Sequence, residues 1–161
     1  MSGFEIERKF LVRGTDYRDQ AYASHHIRQG YLPTGPGCTV RVRRRDDTAF
    51  LTIKGPSADG GLSRYEFEHE ITVDEADALF RLCQPGIIDK TRYLVTSGQH
   101  TFEVDEFHGD NQGLVIAEVE LHAPDEPYLP PSFLGPEVTG DRRYYNSHLR
   151  KNPFKLWADT L

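Results

Sequence analysis

Alternation of apolar and polar residues is the dominant pattern along this chain. In residues 4–12, apolar side chains alternate with Glu5, Glu7 and Lys9. Because residues two apart in a strand lie on the same face, this period predicts a half-buried β-strand. The same pattern, bounded by turn residues, predicts seven further strands: residues 27–33, 39–45, 49–55, 64–73, 89–95, 101–107 and 114–121.

Helical segments are predicted to be few and short. The first covers residues 15–26, and the second begins with Asp74 as its N-cap and stops at Pro85 and Gly86. The apolar face of the second helix comprises Ala76, Leu79, Phe80 and Cys83. After a proline-rich connection, Asp141 is predicted to start a last short helix, whose packing residues are Tyr144, Tyr145 and Leu149.

Length and composition predict one soluble domain over residues 1–161, with 37% hydrophobic and 27% charged residues. The sequence contains neither an apolar run long enough to cross a bilayer nor a secretory signal, so we expect a cytoplasmic protein without a membrane partner. Cys38 and Cys83 lack metal-ligand spacing and are expected to be thiols. The net charge of −6 argues against a nucleic-acid partner.

Nearly every predicted strand has one charged face. The opposite faces are apolar, and the predicted helices would cover them. Arginines and lysines concentrate on certain strands and carboxylates on others. The polar alternate positions are Glu5, Glu7, Lys9, Arg41, Arg43, Thr52, Lys54, Arg64, Glu66, Glu68, Glu70, Lys90, Arg92, Glu103, Asp105, Glu118 and Glu120.

Two architectures satisfy this pattern: an open sheet with one solvated face, and antiparallel strands closed into a barrel with a polar interior. Segregated charges indicate a cation site beside an anion site. Arginine and lysine donors suit phosphate oxygens, whereas carboxylates without nearby histidine or cysteine favour Mg²⁺ or Mn²⁺. A metal bridging carboxylates to phosphate would explain both sets of charges.

An ordered series of motifs resembles the CYTH superfamily, the triphosphate tunnel metalloenzymes, and in length the small bacterial inorganic triphosphatases. The resemblance covers residues 4 to about 149. The motifs are EIERK at 5–9, QGYL at 29–32, RVR at 41–43, TIKG at 52–55, RYEFEHEI at 64–71, KTR at 90–92, EVD at 103–105, AEVEL at 117–121 and EVTGDRRYYN at 137–146.

The resemblance implies an α+β fold, in which an eight-stranded antiparallel closed β-barrel forms a tunnel with a polar charged lumen and a few helices outside. It implies metal binding by Glu5, Glu7, Glu118 and Glu120, with Asp105, Glu66, Glu68 and Glu70 as further candidates. Phosphate binding is implied for Lys9, Arg41, Arg43, Lys54, Arg64, Lys90 and Arg92. The catalytic residues would be Glu5, Glu7, Lys9 and Tyr31, with Tyr31 helping to position the substrate.

The function that follows from the resemblance is metal-dependent hydrolysis of a triphosphate, with inorganic tripolyphosphate as the simplest substrate and pyrophosphate and phosphate as products. Class IV adenylate cyclase, nucleoside triphosphatase and thiamine triphosphatase stay open, because all would use the same phosphate lining. A non-catalytic polyphosphate-binding or nucleotide-binding module is disfavoured, because carboxylates do not help to bind a polyanion. Self-association as a homodimer is an expectation at the level of the family.

Overall fold

The computed structural model describes residues 6–58 and 63–160, and the side chains in these ranges except those of residues 57, 58, 63 and 64. The chain forms two compact units: a smaller unit of residues 26–89, and a larger unit of the residues before 26 and after 89. The helices are α1 (Tyr17–Gln20), α2 (Val73–Phe80) and α3 (Asn146–Leu149). The strands are β1 (Ile6–Val12), β2 (Ala23–Tyr31), β3 (Thr39–Arg45), β4 (Thr48–Ala58), β5 (Ser63–Ile71), β6 (Ile88–Ser97), β7 (His100–Phe107), β8 (Val115–Leu121) and β9 (Leu134–Glu137).

Antiparallel pairing links the strands of the larger unit in the order β6, β7, β8, β1, β9. One face of these strands packs into a hydrophobic core, which Tyr17 and Phe133 cover from outside the strands. The buried strand residues in this core are Phe10, Val95, Phe102, Val104, Ala117, Val119 and Leu121. Because side chains alternate along a strand, burial of these residues leaves the charged residues on the opposite face.

The smaller unit pairs β2, β3, β4 and β5 in sequence order, also antiparallel. Helix α2 places Ala76 and Phe80 against Val42 and Ala49, with Leu79 and Cys83 packed around them. All four residues of the predicted helix face therefore lie in this core. The glycine of the QGYL motif is required by this packing, because a Cβ atom on Gly30 would lie 2.8 Å from the Sγ atom of Cys83.

The N-terminus of α2 differs from the prediction, because Thr72 rather than Asp74 is the N-cap. The Thr72 hydroxyl oxygen accepts a hydrogen bond from the Glu75 backbone N–H at 3.0 Å. The Glu75 carboxylate in return accepts one from the Thr72 N–H at 2.8 Å. This reciprocal capping box satisfies two backbone donors, so the helix begins one residue before Asp74.

We expect Thr72→Ala to lower the free energy of unfolding by about 1 kcal/mol, because the N-cap acceptor is lost. Urea unfolding of the full chain, followed by circular dichroism, measures this change. Thr72→Ser is the control, since it keeps the hydroxyl oxygen. Equal stabilities of the serine and alanine variants would show that the cap contributes nothing.

Two further predictions of secondary structure were wrong. Residues 15–26 form only the four-residue helix α1, and β2 begins at Ala23, so His25 and His26 lie in a strand. The proline-rich connection contains a ninth strand, β9, at Leu134–Glu137. Strand β9 contains Pro136 and pairs with β1, which fits the rule that proline in a sheet is confined to edge positions.

The antiparallel fold with few helices is confirmed, with nine strands among the described residues where the sequence predicted eight. Closure of these strands into one tunnel stays a prediction, as does the single domain. No helix in the described part of the chain has the length and apolar character needed to span a membrane.

Candidate active site

Strand register gathers the charged residues of four strands on one face of the larger unit. On β1 and β8, Glu7 lies opposite Glu120, and Lys9 lies opposite Glu118. The next pairing places Glu118 opposite Glu103 on β7, and the one after it places Asp105 opposite Arg92 on β6. Directly opposed residues share a face, so these side chains form one continuous charged surface, as the alternating pattern predicted.

Like charges crowd the β1–β8 end of this surface. Partial removal of water from its carboxyl group, followed by the negative charge of Glu118 and a hydrogen bond shared with it, raises the pKa of Glu7 to about 7. Lys9 opposes this shift, and its ammonium lies 3.4 Å from a carboxylate oxygen of Glu118. A carboxyl group such as that of Glu7, whose ionised form is disfavoured beside a second carboxylate, would gain from a bound cation.

A cavity of about 250 Å³ opens beside this cluster. It is lined by Glu7, Lys9, Thr139, Gly140 and Tyr145. The segment before α3 reaches the cavity because the Lys9 backbone N–H donates to the Thr139 hydroxyl at 2.9 Å. The candidate site therefore has a floor of strand residues and a wall from the C-terminal segment.

At the β6–β7 end of the same surface, Asp105 is the centre of a buried ion-pair network. Its two carboxylate oxygens accept hydrogen bonds from Arg92 at 2.8 and 2.9 Å, and Lys90 contacts it at 2.8 Å. Burial alone would raise the pKa of Asp105, but Lys90 and Arg92 outweigh burial and hold it well below its usual range. Asn146 accepts a further hydrogen bond from Lys90 at 3.1 Å.

These contacts bear on two predicted roles: phosphate binding by Lys90 and metal binding by Asp105. The Lys90 side chain is 0% exposed, and that of Asp105 is 3% exposed. Asp105 is the counter-ion of Lys90 and Arg92. Glu103 is the more accessible of the two acids, with 33% of its side chain exposed. Glu103 accepts a hydrogen bond from Arg92 at 2.7 Å and lies opposite Glu118. Phosphate binding by Lys90 and metal binding by Asp105 stay predictions.

In the smaller unit, Gln29 organises a second polar face. The buried Gln29 side-chain oxygen accepts from Arg43 at 2.8 and 3.0 Å, and its amide group donates to the Tyr31 hydroxyl at 3.3 Å. The guanidinium of Arg43 and the hydroxyl of Tyr31 are thereby held on one face of β2 and β3. The sequence pattern predicted roles for Arg43 and Tyr31 but not for Gln29, which lies two residues before Tyr31 in the QGYL motif.

Arg41 contains an unpaired donor on this same face. Its Nε atom is buried and has no hydrogen-bond partner within the described ranges, although one Nη atom reaches the Thr52 hydroxyl at 3.5 Å. A buried donor without a partner costs about 1–3 kcal/mol, so an oxygen-bearing anion would be a favourable partner. Thr52 also donates to Glu68 at 3.2 Å.

The remaining candidates are only partly described. Lys54 lies opposite Glu66 in the β4–β5 register, and Glu70 lies opposite Phe50. Glu66, Glu68 and Glu70 are exposed. Glu5 and the side chain of Arg64 lie outside the described residues. Among the described residues, no group of three histidine, cysteine, aspartate or glutamate side chains stands ready to hold a metal ion.

One of the three residues predicted to pack beside the last helix has a different place in the structure. Tyr144 and Leu149 are buried, each 1% exposed, which confirms their prediction as packing residues. Tyr145 instead lines the cavity, with its ring centre 4.7 Å from the Lys9 ammonium. The YYN end of the EVTGDRRYYN motif was the signal, but adjacent tyrosines do not reveal which of them faces a core.

Comparison with known proteins decides the family. The CYTH domain family model matches residues 3–145. This chain belongs to the CYTH family. The resemblance identified from the motifs is confirmed, and metal dependence is general among the CYTH triphosphate tunnel metalloenzymes.

Individual relatives of this CYTH chain are similar over nearly their whole lengths. An inorganic triphosphatase from Acetivibrio thermocellus is 47% identical over 158 residues, covering 98% of this chain and 99% of the relative. One from Nitrosomonas europaea is 38% identical over 150 residues, covering 90% and 95%. A crystal structure of an inorganic triphosphatase superposes with a TM-score of 0.73 at 33% identity, covering 91% of this chain and 94% of that one.

Proposed function

We propose that this chain hydrolyses inorganic triphosphate to pyrophosphate and phosphate with Mg²⁺ or Mn²⁺ as cofactor. The observation that carries the proposal is the crowded carboxylate surface, where Glu7 and Glu118 share a hydrogen bond beside the Lys9 ammonium. Full-length relatives described as inorganic triphosphatases support the same reaction. The chain is accordingly a hydrolase that acts on phosphoanhydride bonds.

The chemistry of the donors suits a hard divalent cation, although the described side chains are not yet gathered around one point. Glu7, Glu118 and Glu120 share one surface and offer only oxygen ligands, and burial, followed by the negative charge of Glu118, raises the pKa of Glu7. We assign metal binding to these three residues together with Glu5; Glu66 and Glu68 are secondary candidates. When bound, the ion would neutralise phosphate oxygens and help to activate the attacking water.

We assign phosphate binding to basic residues in each of the two units, taken separately. In the larger unit these are Lys9, Arg92 and Lys90, the last two of which both contact Asp105. In the smaller unit, the unpaired Nε donor of Arg41 and the Gln29-held guanidinium of Arg43 support the assignment. Forked guanidinium donors match phosphate oxygens in number and direction. Lys54 and Arg64 complete the proposed set, and Tyr31 is proposed to position the substrate.

Charge neutralisation and alignment supply most of the catalysis in this proposal. Water attacks the terminal phosphorus and releases a proton to solvent, while the phosphoanhydride P–O bond breaks and the pyrophosphate oxygen takes the electron pair. Such transfers need little covalent assistance from protein, so a serine or cysteine nucleophile is not required. Lys9 and Arg92 hold the phosphate chain while negative charge shifts onto the leaving oxygen.

We expect purified protein to release phosphate and pyrophosphate from tripolyphosphate with Mg²⁺ or Mn²⁺, and to lose this activity with a chelator. ATP and thiamine triphosphate are tested in parallel, and the products are identified by ion chromatography. Cyclic AMP and pyrophosphate from ATP would indicate a cyclase instead. Tight tripolyphosphate binding without turnover of any substrate would indicate a binding module.

Cellular context and assembly belong to the same proposal. We assign a cytoplasmic location, a small-molecule triphosphate as partner, and no nucleic-acid or membrane partner. Homodimer formation is checked by light scattering during size-exclusion chromatography, where a mass near 18.4 kDa would identify a monomer.

A further inference from the structure

One residue from the C-terminal segment contacts the lysine of the opening motif. The ring of Tyr145 faces the Lys9 ammonium, with 4.7 Å between the ring centre and Nζ. Both residues line the cavity, where Glu7 also lies. Tyr145 precedes α3 directly, so its backbone is fixed at the point where that helix begins.

The same segment also fixes the backbone of Lys9. The Val138 N–H donates to the Lys9 carbonyl oxygen at 2.8 Å, and the Lys9 N–H donates to the Thr139 hydroxyl at 2.9 Å. Lys9 is therefore held at three points by residues 138–145: its N–H, its carbonyl and its ammonium. Of these three contacts, only the one with Tyr145 involves the charged group itself.

Lysine needs such a contact because its ammonium sits on a four-carbon stem with many rotamers. The Lys9 side chain is only 12% exposed, and an ammonium with little water around it is attracted to the face of an aromatic ring more strongly than one in open solvent. A carboxylate oxygen of Glu118 lies 3.4 Å from the same ammonium. The contact with the Tyr145 ring therefore competes with the attraction of Glu118 for the position of the charge.

We propose that Tyr145 is a positioning residue that holds the Lys9 ammonium towards the cavity in which the phosphate chain binds. This inference rests on the proposed triphosphatase function. The contact with the ammonium is made by the face of the Tyr145 ring, so the phenolic hydroxyl is not needed for this role.

The test is a double-mutant cycle in tripolyphosphate hydrolysis. Tyr145→Leu is expected to lower kcat/KM roughly tenfold, the scale of one desolvated cation–π contact. Tyr145→Phe keeps the ring and is expected to retain most of the activity. In a Lys9→Met background, Tyr145→Leu is expected to cause no further loss, because the positioned charge is already gone.

Tyr128→Leu is the matched control. The Tyr128 ring lies 5.1 Å from the guanidinium of Arg8, which is on the opposite face of β1, so its loss leaves Lys9 in place. Thermal unfolding of every variant identifies losses of folding, and Tyr145→Met replaces the leucine variant if that one is unfolded.

Two results would overturn the inference: equal impairment of the phenylalanine and leucine variants, or the same loss from Tyr145→Leu with and without Lys9. Failure of the proposed function gives a different result, in which wild-type protein does not turn over tripolyphosphate. The cycle is then measured on tripolyphosphate binding by calorimetry, where additive effects of the two substitutions would equally refute the role of Tyr145.

Discussion

Single substitutions Glu5→Ala, Glu7→Ala and Glu120→Ala are each expected to abolish metal-dependent hydrolysis of tripolyphosphate. Removing one preorganised charge-stabilising group from an active site typically lowers turnover by roughly 10²–10³, and loss of a metal ligand should exceed this. Steady-state kinetics with Mg²⁺ and Mn²⁺ measure the loss. Binding of Mn²⁺ alone, followed by electron paramagnetic resonance, should weaken in parallel.

These variants should remain folded. The carboxyl group of Glu7 is crowded by Glu118, and its raised pKa shows that its ionised form is disfavoured where it lies. Replacing Glu7 relieves that repulsion, so we expect no loss in the free energy of unfolding at pH 8 without metal. Loss of activity with unchanged stability would separate a role in catalysis from a role in folding.

Asp47→Ala is the control for removing a carboxylate. Asp47 lies in the turn after β3, and its side chain is fully exposed, at 102% of the reference area. Its removal is expected to leave both Mn²⁺ affinity and kcat unchanged. Full activity in any two of the three glutamate variants would contradict the metal assignment.

The sequence predicted the charged surface because the period of a strand is independent of tertiary context. Once Glu7 and Lys9 are two apart on one strand, and Glu118 and Glu120 on another, each pair must share a face. Antiparallel register then brings the pairs together. The apolar face of α2 was predictable for the same reason, since helix periodicity places Ala76 and Phe80 together.

The elements that were missed depend on contacts that are distant in sequence. Pairing with β1 makes Leu134–Glu137 a strand despite Pro136, and no local pattern announces this. The residues around His25, which resemble a helix end, are likewise extended in β2, directly after the Tyr22 N–H that donates to the Leu94 carbonyl of β6 at 3.0 Å. Short segments with weak propensity follow their partners rather than their own sequence.

Burial of a charge is also invisible to periodicity. Alternation places Glu103 and Asp105 on one face, yet the Asp105 side chain is 3% exposed and that of Glu103 is 33% exposed. The difference arises because Lys90 and Arg92 converge on Asp105 from the neighbouring strand. The sequence could identify an acidic pair, but only the structure assigns one acid to an internal ion pair.

Asp105→Asn is therefore expected to lower the free energy of unfolding by about 3–5 kcal/mol, as when one partner of a buried ion pair is removed. Lys90 is 0% exposed and would lose the carboxylate that lies 2.8 Å from its ammonium. The ordinary pKa of an aspartate is near 3.8, and Asp105 lies far below it in the fold. Its contribution to stability is thus present above about pH 4 and is lost as the pH falls below that value.

Glu106→Gln is the matched control, because it makes the same chemical change at the next residue of β7. Glu106 pairs with Arg18, whose side chain is 48% exposed, and accepts a hydrogen bond from the Tyr17 hydroxyl at 2.8 Å, which the glutamine oxygen can keep, so we expect a loss of about 0–1 kcal/mol. Adding Lys90→Met to Asp105→Asn is expected to restore part of the lost stability, since Arg92 retains Glu103. Urea unfolding at pH 8 measures the free energy of unfolding of the wild type and of the three variants.

The same variants decide between the two roles of Asp105. As an internal counter-ion, Asp105 supports the position of Arg92, so Asp105→Asn should destabilise the protein while Mn²⁺ affinity stays close to that of wild type. If Asp105 is instead a metal ligand, the role implied by the family resemblance, Asp105→Asn should weaken Mn²⁺ binding and leave the stability of the protein close to that of wild type. A stable Asp105→Asn variant that no longer binds Mn²⁺ would show that Asp105 is a metal ligand. The burial of Lys90 would then have to be explained without Asp105 as its counter-ion.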